Sequence, residues 1–240
     1  MIHQLAILTF AFSALSTLGA ETTTAPPVGA TSTEHLDFAP GGTIRVKDSF
    51  GSLTVEGWDQ PGVELTVVKS TGFKSEPPQQ ASEQLDAVRV TAARGSGTEL
   101  IISTSRPAPR SIAHPLRNGS DVTLEYHIRA PRSSHLVISH EGGFVSVTGM
   151  TGDIEATSHR GDIVLMLPDL AACSIDAHTK FGLVTSDAAV ATRHKLSPGE
   201  NLREGGTTAS RRLVLRMRFG GIAIKELPHE AFAAAPAGTN

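Results

Sequence analysis

The chain has 240 residues, 39% of them hydrophobic and 5% aromatic, with a formal net charge of −3. That is enough apolar material for a core in one or two domains, and the charge excludes a general electrostatic drive toward nucleic acid. With Cys173 as its one cysteine, the chain can form no intrachain disulfide.

Residues Leu5 to Leu18 are uncharged and mostly apolar. They fit the hydrophobic core of a secretory signal spanning 1–20, with cleavage after Ala20, and are too few to span a bilayer comfortably. No Lys or Arg precedes the run, so a buried N-terminal strand is the competing reading. No second apolar span occurs, so no membrane span is expected in the mature chain. Residues 21–40 read as a flexible leader, because Glu21 to Glu34 is rich in Thr, Ala and Pro.

Residues 41–130 form a less regular β region. Thr43 to Lys47 and Ser52 to Glu56 alternate as strands, Gly57-Trp58-Asp59 turns a corner, and Val63 to Lys69 continues as a strand. Pro77-Pro78 starts one or two helical turns reaching Leu85. Val88 to Ala92 and Glu99 to Thr104 pair as a hairpin through Gly95-Ser96-Gly97. Arg106 to Gly119, with Pro107, Pro109 and Pro115, is a loop, and Val122 to Arg129 is a strand.

Residues 131–225 carry a repeat. Gly143, Gly152 and Gly161 recur every nine residues (152 − 143, 161 − 152). Each is followed at the second position by Val145, Ile154 or Ile163, and at the fourth by Val147, Ala156 or Leu165. Such alternation puts the aliphatic residues on one strand face, with glycine at the corner between strands. Gly42, Gly51 and Gly220 begin the same pattern elsewhere. Short strands at a short fixed period mark a solenoid or another repetitive all-β fold. Ala188 to Ser210 is polar and irregular, Arg212 to Arg218 is a half-buried strand, and Gly220 to Lys225 closes the series. Residues 226–240 form a disordered tail.

Reactive groups are sparse. Asp153 and Asp162 each follow a repeat glycine at outward positions of separate strands, and read as solvated turn carboxylates. Arg160-Gly161-Asp162 spells an integrin-binding tripeptide, but the repeat already accounts for Gly161 and Asp162. Trp58 reads as a plug at the end of the core. No metal site and no cofactor is expected. His140, His159 and His178 are nineteen residues apart in turn (159 − 140, 178 − 159). If a coil takes about nineteen residues, they stack on successive rungs about 4.8 Å apart. Such a ladder is the candidate ligand-binding row, and below about pH 6 it would become a positive stripe attractive to acidic glycans.

Three stretches, taken in order, carry a family resemblance. They are Gly51-Ser-Leu-Thr-Val-Glu-Gly-Trp-Asp59, Leu124-Glu-Tyr-His-Ile-Arg-Ala-Pro131, and the glycine run from Gly143 to Leu167. Over roughly residues 40 to 225 the chain resembles a bacterial envelope adhesin family of unknown function, similar to auto-transporter adhesin head domains. The resemblance implies a right-handed β-solenoid-like fold located in the periplasm or secreted. It brings no catalytic residues. The expectation is a non-enzymatic envelope module binding a glycan or a protein through flat ladders. The alternative is a polysaccharide-active enzyme using acidic residues on a solenoid face.

Overall fold

The computed structural model describes residues 29–71, 78–106, 122–188, 192–196, 199–204 and 209–228. The expected signal segment, most of the proline-rich loop after Arg106 and most of the tail lie outside the described residues. The chain opens with β1 (Gly29–Leu36), β2 (Thr43–Trp58) and β3 (Val63–Thr71), then α1 (Pro78–Ala87) and a hairpin of β4 (Arg89–Arg94) and β5 (Glu99–Ser105). Next come β6 (Val122–Pro131), β7 (His135–Thr148) and β8 (Ile154–Leu167). A 3-10 turn at Leu170–Ala172 leads to β9 (Cys173–Phe181) and β10 (Val184–Ser186). A second hairpin, β11 (Thr192–Leu196) and β12 (Gly199–Glu204), precedes β13 (Arg211–Phe219) and β14 (Ile222–Glu226).

Five units share one plan: a strand arm, a glycine corner and a second arm. They are β2, β7, β8, β9 with β10, and β13 with β14. Their parallel register stacks like on like. Ile44, Leu136, Ile154, Leu213 and Ile175 form one buried row across the first arms. Leu53, Val145, Ile163, Ile222 and Val184 form another across the second arms. All ten side chains are essentially inaccessible. Burying each stabilises the fold by about 1.5–3 kcal/mol relative to exposure. The corners stack as tightly. Gly161 has φ +108°, and a Cβ on it would lie 1.8 Å from the carbonyl oxygen of Gly143. Gly143 meets Gly51 in the same way at 1.9 Å. No side chain fits in this column.

The rungs do not stack in chain order. The sheet runs β6-β2-β7-β8-β13-β9-β12, and β14 likewise lies between β8 and β10. The last rung in sequence is therefore inserted between its two predecessors. Two aspartates anchor it: Asp153 Oδ1 accepts from the Arg212 amide at 2.7 Å, and Asp162 Oδ1 from the Gly221 amide at 2.8 Å. Arg211, nearly buried, donates to the carbonyls of Met150 (3.1 Å) and Pro168 (2.7 Å) and to Cys173 Sγ. It ties the turns before and after β8 to the inserted rung.

The described chain is all-β apart from the ten-residue helix α1, and several expectations change. The nine-residue period is half a rung. Gly152 lies in the turn between β7 and β8, and register makes the rung eighteen residues (Leu136 to Ile154, 154 − 136). Across the 130/131 boundary, β2 pairs with β7 along both arms. Within the expected flexible leader, residues 29–36 form β1, exposed except at Leu36, which packs against the core, and held by pairing to β3. The irregular stretch 188–210 contains the β11–β12 hairpin, which pairs onto β9. Gly220 to Lys225 lies inside the stack rather than closing it.

Candidate functional site

The three histidines occupy three different rows. Coil length sets this: the first arm of β8 follows that of β7 by eighteen residues, and β9 follows β8 by twenty-one (Ile154 to Ile175, 175 − 154). A spacing of nineteen therefore slips each histidine out of register, and a slip of one residue turns a side chain to the opposite face. His140 pairs with Ser158 rather than His159 and points inward, 3% exposed. It shares a 2.9 Å hydrogen bond between its Nδ1 and Ser49 Oγ. Burial lowers its pKa from 6.5 to about 4, with the backbone of Gly51 and Gly142 acting in the opposite direction. His159 on β8 and His178 on β9 face outward, with β13 between them. His178 is opposite Arg216, and His159 Nε2 lies 3.3 Å from Arg218 Nη1. The expected ladder does not form.

The histidines nevertheless border one surface groove of about 720 Å³. It crosses the outward face of β7, β8, β13 and β9, where Ser139, Thr157, Arg216 and His178 make one row. Glu141, His159, Arg218 and Lys180 line it next to the corner. His140 reaches it only from beneath.

The charges in and beside this groove are unevenly matched. Arg216 donates to Asp176 Oδ2 at 2.6 Å, and that bond, first among its neighbours, holds the Asp176 carboxyl below its usual range. Glu141 is paired with Arg106. Among the described residues Arg160, Lys180 and Arg218 have no carboxylate partner, and all three are exposed. Beside them Phe181 and Phe219 stack with centroids 4.9 Å apart and planes 6° apart. The Arg218 guanidinium lies 5.3 Å from the Phe219 centroid, and the Lys180 ammonium 5.7 Å from that of Phe181. Aromatic faces hold cations in this way electrostatically.

This groove escapes a sequence reading. Arg216 and Arg218 are visible as the outward side of an alternating strand, but Lys180 and His159 join them only through the insertion of β13. Asp153 and Asp162, read as solvated turn carboxylates, bind backbone amides of the inserted rung instead. Asp162 in the Arg-Gly-Asp tripeptide is thereby engaged, and Gly161 is a corner. Trp58 is only partly buried; its indole donates to the Gly62 carbonyl at 3.2 Å, and Arg129 lies over the ring. Among the described residues the fully buried Phe, Tyr or Trp is Tyr126, whose hydroxyl pairs with Thr104 Oγ1 at 2.7 Å. Among the described residues no group of three or more His, Cys, Asp or Glu side chains is placed to hold a metal ion. No helix among them is long and apolar enough to cross a membrane.

No protein-family model and no curated protein sequence matches this chain. Among solved structures it is similar to a candidate cell adhesion protein from Clostridium sporogenes, at 12% identity and a TM-score of 0.47 over 84% of this chain and 100% of that one. It is similar also to a candidate adhesin from Bacteroides fragilis, at 8% identity and a TM-score of 0.31 over 83% of this chain and 97% of that one. A candidate adhesin from Parabacteroides merdae matches at 7% identity and a TM-score of 0.26, over 66% of this chain and 60% of that one.

Proposed function

We propose that this chain is an exported, non-enzymatic, adhesin-like module that binds an envelope glycan or protein through the groove over β8, β13 and β9. The observation that carries the reading is the unmatched charge of Lys180 and Arg218 in that groove. These residues stand on strands whose inner faces are locked into the buried rows. A rigid face with uncompensated charge is suited to holding an extended partner. The carboxylates that a glycan-cleaving reading would use, Asp153 and Asp162, are engaged with backbone amides. The same proposal takes the stacked arms as a right-handed β-solenoid-like scaffold akin to auto-transporter adhesin heads. Right-handed is the hand that parallel β-crossovers favour. It also places the protein in the periplasm or secreted, consistent with the apolar segment Leu5 to Leu18.

The test is a glycan array combined with a turnover assay on every sugar bound, using protein fractionated from the native host. Binding without cleavage, by protein recovered outside the cytoplasm, is the expected result. Turnover of a bound sugar would transfer the chain to the enzyme reading.

A further inference from the structure

We infer that the groove takes an acidic polysaccharide, recognised by Lys180 and Arg218. The inference rests on the groove being the binding surface and goes further by naming the ligand's chemistry. The groove crosses four strands, β7, β8, β13 and β9, and its two unpaired cations, Lys180 on β9 and Arg218 on β13, stand side by side next to the corner. Neighbouring strands lie 4.7–4.9 Å apart, so the groove runs about 14 Å across them. A single small anion would meet the two cations and leave the hydroxyls of Ser139 and Thr157 unused, whereas a sugar chain bearing negative groups engages both. The net charge of the whole chain is −3, so these two cations are a local inversion of sign.

The surrounding groups favour a sugar polymer over a nucleic acid. Single-stranded nucleic acids are held largely by bases stacking on free aromatic faces. Here Phe181 and Phe219 stack on each other, and Lys180 and Arg218 lie over the rings. The aromatic pair therefore positions cations rather than offering platforms. The floor of the groove carries the hydroxyls of Ser139 and Thr157 beside His178. These are donors and acceptors of the kind that pair with sugar hydroxyls.

The experiment titrates the full chain with polygalacturonate oligosaccharides, with a neutral glucan of matched length, with a single-stranded oligonucleotide and with anionic phospholipid vesicles. The same titrations are run on the Lys180→Gln/Arg218→Gln double variant. Its fold is checked by thermal melting, and Lys47→Gln serves as a control for removing an exposed lysine outside the groove. The expected result is binding of polygalacturonate that weakens as salt rises. At least a tenfold loss is expected in the double variant and little change in Lys47→Gln. Retention of a neutral glycan with no affinity for the acidic one overturns the inference and leaves the binding-module reading intact. Equal or tighter binding to the oligonucleotide or vesicles also overturns it. Failure to bind any sugar overturns the inference and leaves the module to a protein partner.

Discussion

At the scale of single residues, His140 makes the clearest connection between placement and behaviour. It sits at the inner side of the corner, where the aliphatic rows give way to a row of Ser49, His140, Ser158, Met217 and Thr179, all buried and all but Met217 polar. Its Nε2 has no hydrogen-bond partner among the described residues. Charging it there is costly, which is why its pKa falls to about 4 from 6.5. The unfolded chain then binds more protons than the folded one between those values. The resulting stability is complete above about pH 6.5 and is lost as pH falls toward 4. With 1.36 kcal/mol per unit, the loss is about 3 kcal/mol for this one side chain. Urea unfolding of wild type and His140→Gln at a series of pH values checks this. The variant, though less stable at neutral pH, should show a shallower decline through that window. Parallel curves would mean that His140 is not the titrating group. Its identity as a binding residue followed from equal sequence spacing alone. That spacing carries no information about which face a residue takes once the coil departs from nineteen.

At the scale of elements, the glycine corners set the rung. Each first arm and second arm was visible from alternation, since Ile154 and Ile163 face inward while Asp162 faces out. The corner glycines were visible too, at Gly51, Gly143, Gly161 and Gly220. The role of Gly152 was not, because turn and corner glycines look alike in sequence and both precede an aliphatic pair. Their tolerances should therefore differ from that of an open loop glycine. Gly161→Ala forces a Cβ against the Gly143 backbone at a positive φ, and is expected to cost on the order of 3–5 kcal/mol. At Gly97, φ is +66° and nothing lies within 4 Å of the added carbon. There Gly97→Ala should cost about 1–2 kcal/mol, the left-handed penalty alone. Denaturant midpoints for the two variants measure the difference. Equal losses would show that the column of stacked corners is not closely packed.

At the scale of the whole molecule, the order of the rungs decides how the fold is held together. Any aliphatic rung could lie beside Ile154, and Leu213 and Ile175 present equivalent rows. The sequence pattern is blind to which of them does. Hydrogen bonding chooses β13, through the Asp153 and Asp162 anchors and the buried Arg211. Consequently the C-terminal rung is a central piece. In a repeat stacked in chain order, removing the last coil exposes one new end and leaves its neighbours paired. Here a chain stopped after Ser210 loses the strand between β8 and β9 and the strand between β8 and β10. Ile154 and Ile163 each lose one of two neighbours in the row, Ile175 and Val184 lose the neighbour that joins them to β8, and β9 with its β11–β12 hairpin is left without a sheet to join. Removing one rung therefore breaks the stack in two. The truncated chain is expected to lose its cooperative thermal transition, or to melt tens of degrees below the full chain, as followed by circular dichroism. A soluble truncation melting cooperatively within a few degrees of the full chain would place β13 and β14 at the end of the stack instead of inside it.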